Sequence, residues 1–240
     1  MGERIGFLGG TFDPPHKGHV RLAQQARERL GLARVLLAPA GVQPLKADEV
    51  PGASWQQRLR MVELAVAGET GLEASDIDRP RDDGRPNYSD ETVARLRESL
   101  ALQNPEAIAE IYFLLGADAF AGLRRWHAPE MLLQQVELVV ANRPGYILPR
   151  EGAGLLQFLP EGARFLGKEE LAAADDGPTA MDGFVFLVGS ALVRIYLLEE
   201  MAEDIAASEL RAELARGAGW EWLPERVAEY VRAEGLYGAR

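Results

Sequence analysis

The sequence predicts an α/β protein, built as a doubly wound parallel sheet with a small helical C-terminal extension. Three observations carry that expectation. Short apolar runs that read as strands alternate with segments of helical periodicity, the pattern of successive βαβ units. Clusters of glycine and proline close the strand-like runs, marking loops. The chain has 240 residues, 47% of them apolar and 26% charged, an ordinary globular mixture long enough to fill one domain of this class.

Taken in order, residues 4–8 form a short buried strand that runs into the breaker cluster Gly9, Gly10, Thr11, Phe12, Asp13, Pro14, Pro15. From Lys17 the apolar positions Val20, Leu22, Ala23, Ala26 and Leu30 recur at helical spacing, and Gly31 stands where a C-terminal cap is expected. Residues 35–38 form a second strand ended by Pro39. Residues 55–67 repeat as a helix, with Leu59, Val62, Ala65 and Val66 on one face and Gly68 as its stop. Residues 89–102 are an amphipathic helix through Val93, Leu96 and Leu100. Strands follow at 111–115 and 136–141, with a helix around 131–133 between them. The stretch 146–183 is the least regular, residues 184–188 read as a late strand, and the last 45 residues read as helical.

Composition narrows the function. With 26 basic against 37 acidic side chains and a net charge of −11, the chain is a poor general binder of nucleic acid or of anionic membrane. No run reaches the roughly 20 apolar residues of a membrane helix, and the N-terminus does not read as a secretory signal, so a cytoplasmic protein is expected. The absence of cysteine excludes disulfides, thiol chemistry and Cys-ligated zinc. Histidine is scarce: His16, His19 and His127 are the whole set.

Two of those three histidines sit three apart where the first strand hands over to the first helix. Glycines without Cβ atoms let the backbone approach a ligand. The start of a helix offers unpaired N–H groups and the positive end of its dipole to an anion. His16 and His19, at i and i+3, share a face of the first turn, with Lys17 and Gly18 between them. A phosphate site is the reading this pattern favours. The alternatives are a plain helix entrance with two solvated histidines, or a zinc site needing a distant third ligand. A Walker A loop is absent.

The segment Gly-Gly-Thr-Phe-Asp-Pro-Pro-His-Lys-Gly-His at residues 9–19 resembles the signature loop of the HxGH nucleotidyltransferases, and within them the nicotinate-mononucleotide adenylyltransferase family. The resemblance covers about residues 4–146 and 204–237. It implies a Rossmann-like nucleotidyltransferase domain over 1–203, with an extension at 204–240 that completes the ATP site. It also implies joining of ATP, as its Mg2+ complex, to nicotinate mononucleotide.

By that resemblance His16 and His19 bind the ATP phosphates, while Gly9, Gly10, Thr11, Phe12 and Gly18 line the nucleotide. Lys46 closes a second loop, 39–46, as a cation for the phosphates; Leu45 stands where the family commonly has histidine. Tyr88, Ser89 and Thr92 match a segment facing the nicotinate, which from the residues alone is equally a helix start capped by Ser89. Gly116 and Asp118, followed by Trp126, match a block that meets ribose and stacks on the pyridine ring; Trp126 is otherwise a core residue. Arg143 matches a later loop. His127 has no assignment.

The family's closing motif, Ile-Ser-Ser-Thr-x-x-Arg, is only partly kept in residues 205–211, where Ser208 and Arg211 remain and Ala206 and Ala207 replace serines. The resemblance gives Arg211 and Ser208 the triphosphate tail. The residues alone also read as one continuous helix over 197–216. Beside the nicotinate acceptor stand two other readings: another acceptor, such as nicotinamide mononucleotide or phosphopantetheine, or a nucleotide-binding homologue without catalysis. The partners implied are ATP and the mononucleotide, with no nucleic acid and no membrane. A homo-oligomer is left open.

Overall fold

The computed structural model describes residues 2–44, 51–106, 108–142, 148–171, 181–198 and 206–239. Its first strand, β1 (Arg4–Gly10), is apolar without alternation because both of its faces are covered. It lies between β2 (Arg34–Pro39) and β4 (Glu110–Gly116), parallel to both. β3 (Leu72–Ala74) extends the sheet beyond β2, and β5 (Glu137–Ala141) extends it beyond β4. β8 (Ala191–Leu198) then runs parallel to β5, and β7 (Met181–Val188) and β6 (Arg164–Leu171) complete the edge antiparallel. The order β3-β2-β1-β4-β5-β8-β7-β6 reverses direction between β1 and β4, so the loops leaving these two strands part and open a crevice. The doubly wound α/β expectation holds.

Residues alternating along each strand feed two apolar layers. Tyr112 and Leu114 face α1 (Lys17–Leu30) and α2 (Trp55–Val66), together with α7 (Ala207–Leu214) and α8 (Glu225–Ala233). Ile111, Phe113 and Leu115 face α3 (Ser89–Gln103), α4 (Ala117–Ala121) and α5 (Pro129–Leu133). A short α6 (Gly152–Leu155) packs beneath β6. Among the described residues no helix is long and apolar enough to cross a membrane.

Most elements lie within two residues of their expected bounds, and Gly31 caps α1 in the left-handed conformation, φ 60°. The structure differs from the sequence reading in three places. The irregular stretch 146–183 contains β6, a strand hidden by its edge position: Arg164, Lys168, Glu169 and Glu170 interrupt it, and a bulge lies between Phe165 and Gly167. The three-residue strand β3 carries too few apolar residues to register as a period. The continuous helix over 197–216 does not form, because β8 occupies residues 191–198. Its Val193 and Ile195 face the core and its backbone pairs on both sides, which outweighs local helix propensity. Helix α7 starts only at Ala207, with Ala206 extended at φ −76°, ψ 142°.

The C-terminal helices share the domain's core, since Leu210, Leu214, Val227 and Val231 are fully buried in the same cluster as Met61 and Val62 of α2. Truncating Leu214 to alanine should therefore destabilise the whole chain by about 2–5 kcal/mol. Chemical denaturation followed by circular dichroism should show one transition at a lower midpoint. An early, separate transition would show the C-terminal segment to be independent.

Candidate active site

The crevice between β1 and β4 holds a cavity of about 620 Å³, within the range of small-molecule sites. Its lining divides into a glycine- and histidine-bearing side built by β1 and α1 and an aromatic side built by α3 and the segment after β4.

On the first side, Gly9 and Gly10 end β1, Thr11 follows, and α1 begins after His16. No acidic residue occupies the first turn of α1, so the partial positive charge of its N-terminus is not neutralised there. His16 is 2% exposed yet lines the cavity, with its ring centroid 3.8 Å from that of His19. The backbone N–H of His16 donates to Nδ1 of His19 at 3.2 Å. An imidazole nitrogen that accepts carries no proton, so the proton of a neutral His19 sits on Nε2 and makes that atom a donor. Gly18 also lines the cavity. Thr11 Oγ1 donates to Gln43 at 3.0 Å, tying the first loop to the second.

Phe12 does not line the cavity. It is 1% exposed and packs edge-on against His19 with centroids 4.8 Å apart, supporting the ring from behind. Arg211 also stands behind the loop, where its Nη1 donates to the Asp13 carbonyl at 2.8 Å. Ser208 is exposed in the first turn of α7 and does not line the cavity. The expectations for Lys46 and Arg143 fall outside the described residues.

On the aromatic side, Tyr88 and Ser89 open α3, Gly116 and Asp118 open α4, and Trp126 closes the turn after it, all lining the cavity. Trp126 is half-buried and meets Phe113 edge-on, so it is anchored in the core yet reaches the cavity. His127, which had no assignment, stacks on Tyr88 with centroids 4.1 Å apart and an interplanar angle of 23°. Its Nδ1 lies 3.0 Å from Asp90 Oδ1, and since a carboxylate only accepts, that nitrogen carries the proton.

Thr92 touches the cavity, but its hydroxyl is given to Asp78 at 2.6 Å. Asp78 and Asn87 were missed by sequence reasoning, and nothing in one sequence marks a buried carboxylate and amide as partners. Asn87 donates through Nδ2 to Asp78 and to the Arg79 carbonyl, and accepts from the Val42 N–H at 3.1 Å. It thereby holds the second loop and the start of α3 together. Burial pushes the Asp78 carboxyl above its ordinary value, against the pull of the Thr92 and Asn87 bonds. Among the described residues, no three His, Asp or Glu side chains are grouped to hold a metal ion.

Donors at a helix N-terminus facing an aromatic wall across one cavity suit a nucleotide with a second, planar substrate. Comparison with known proteins identifies the family. The cytidylyltransferase-like family model matches residues 7–213. A probable nicotinate-nucleotide adenylyltransferase of Stenotrophomonas maltophilia (strain K279a) is 39% identical over 241 residues, covering 99% of this chain and 97% of that one. Another from Aeromonas hydrophila is 36% identical over 234 residues, covering 97% and 96%. The nicotinic acid mononucleotide adenylyltransferase of Plasmodium falciparum complexed with NaAD shares the fold, with a TM-score of 0.67 at 13% identity over 99% of this chain and 98% of that one. The fold, the loop at residues 9–19 and this likeness over nearly full length agree: the chain belongs to the cytidylyltransferase-like family and, within it, to the nicotinate-nucleotide adenylyltransferases.

Proposed function

We propose that the protein transfers the adenylyl group of ATP to nicotinate mononucleotide, giving deamido-NAD and pyrophosphate. The observation that carries this reading is the pair of imidazoles at the first turn of α1, opening onto one cavity whose far wall is Tyr88, Trp126 and His127. Family membership supports the choice of substrates.

In the proposed reaction a phosphate oxygen of the mononucleotide forms a bond to the α-phosphorus of ATP. The bond from that phosphorus to the β-bridging oxygen breaks, and the electron pair leaves with pyrophosphate. The nucleophile is already an anion, so no general base is needed; the protein aligns the two phosphates and stabilises the charge that builds on the α-phosphoryl oxygens. His19, donating through Nε2, His16 and the N-terminal N–H groups of α1 supply that stabilisation. Gly9, Gly10 and Thr11 admit the nucleotide close to the backbone. Mg2+ enters as part of the MgATP substrate, held by phosphate oxygens.

Trp126 and Tyr88 take the pyridine ring by stacking, Asp118 accepts from a ribose hydroxyl, and Ser89 offers a hydroxyl to the mononucleotide. Lys46 and Arg143 join the proposal through their motifs as cations for a pair of substrates rich in phosphate. Ser208 and Arg211 stand apart from the cavity wall, so their contribution to ATP is indirect. The proposal places the reaction in the cytoplasm, because both substrates are charged nucleotides that an apolar bilayer does not pass.

Pyrophosphate release with MgATP should be fastest with nicotinate mononucleotide and much slower with nicotinamide mononucleotide or phosphopantetheine. Preference for another acceptor would replace this substrate assignment, and ATP binding without turnover on any acceptor would favour a homologue that has lost catalysis. His19→Ala should lower kcat by about a hundredfold or more while the KM for ATP changes much less, because its bond strengthens as charge develops. Equal losses in kcat and KM would remove the transition-state role. Trp126→Ala should raise the KM for the mononucleotide by about tenfold with kcat little changed; an unaltered KM would return Trp126 to the core alone.

A further inference from the structure

The loop that carries the two imidazoles is held from outside the cavity, at Asp13. This side chain is 1% exposed, and its carboxylate accepts from the N–H groups of Gly52 at 2.7 Å and Ala53 at 3.1 Å. The Tyr237 hydroxyl donates to the same carboxylate at 2.8 Å, from a residue 224 positions away in sequence. Arg211 adds its bond to the Asp13 carbonyl and lies 3.5 Å from Oδ2. Arg58, 2% exposed, donates to the Thr11 carbonyl at 2.6 Å, two residues earlier in the loop. None of these partners lines the cavity.

Backbone strain converges on the same point. Phe12, adjacent to Asp13, has φ 49°, and Tyr237 has φ 60° and ψ 20°. The left-handed region is disfavoured for residues with a Cβ, and it persists only where the surroundings over-determine it. At Tyr237 the surroundings are specific. The ring lies against Gly52 so closely that a Cβ there would stand 2.9 Å from Cε1, and the hydroxyl ends on Asp13. Burial and the adjacent carboxylate push the Tyr237 phenol well above its usual range, so it remains a neutral donor.

We propose that Tyr237 is a positioning residue for adenylyl transfer, which by donating to Asp13 fixes residues 11–16 and hence the orientation of His16 and His19. Only Pro14 and Pro15 separate Asp13 from His16. Proline rings lock φ, so a shift at Asp13 is carried to the imidazoles rather than absorbed between them. A displacement of catalytic donors reduces transition-state stabilisation more than ground-state binding. The inference rests on the adenylyltransferase reading and adds the C-terminal turn as the part that sets the geometry of its phosphate side.

The test compares the wild type with Tyr237→Phe and Gly52→Ala, by steady-state kinetics with MgATP and nicotinate mononucleotide at a temperature where circular dichroism shows each folded. Tyr237→Phe should lower kcat by about tenfold while the KM for the mononucleotide stays within about twofold. Gly52→Ala, which crowds the ring and removes no hydroxyl, should give the same split, and it carries the expectation alone if Tyr237→Phe does not fold. A merely structural role predicts a lowered Tm with wild-type kcat, and that result would overturn the inference, as would a raised mononucleotide KM at unchanged kcat. A wild type without turnover overturns the adenylyltransferase reading and this inference together, and so is distinguishable from a variant that behaves as wild type.

Discussion

A carboxylate removed from water must be given back its hydrogen bonds by the protein, and Asp13 is the place where this chain meets that demand. Two backbone N–H groups, a phenol and a guanidinium converge on it from the segment before α2, the C-terminal turn and α7. Leaving a buried charge without partners costs about 3–5 kcal/mol, so these contacts together favour one placement of Asp13. Because Asp13 lies in the loop between β1 and α1, satisfying its charge also decides where that loop sits. Folding stability and the arrangement of the imidazoles thus draw on the same bonds.

The front of the loop solves a different problem. The chain is strongly acidic, with a net charge of −11, and has to accept phosphate. In the proposed reading it does so locally, through a 14-residue helix whose first turn carries no acidic side chain and through neighbouring imidazoles facing the cavity. Such fixed dipoles act over a few ångströms in a cleft that restricts water, where the overall charge of the protein is largely screened. The second loop is joined to this assembly by Thr11 with Gln43 and to the aromatic wall by Asn87. Both halves of the cavity therefore stand in fixed register.

The sheet was legible because its parallel strands are buried on both faces and read as short runs without charge, as at residues 5–8 and 138–141. The loop on one side of the cavity was legible because glycine, proline and paired histidines mark a strand-to-helix junction, and His16 and His19 do line the cavity there. What escaped was structure defined by pairing rather than by local pattern. The charged strand β6 is recognisable only beside β7, and the end of β8 runs into a stretch that reads as helical, although the strand hydrogen-bonds to two neighbours. The contact of Tyr237 with Asp13 spans 224 positions and has no periodic trace. For Arg211 the motif indicated the residue, while its placement behind the loop came from the tertiary fold.

The stacked pair Tyr88 and His127 illustrates how such a scaffold can change without losing its chemistry. The two residues come from the start of α3 and the turn after α4, away from β1 and α1, and are braced by Asp90 rather than by the phosphate loop. Exchanging side chains on that wall alters the shape and polarity offered to an incoming ring but leaves the nucleotide end in place. In the proposed reading, substitution on that wall changes the acceptor a ring-bearing substrate must match without moving the imidazoles.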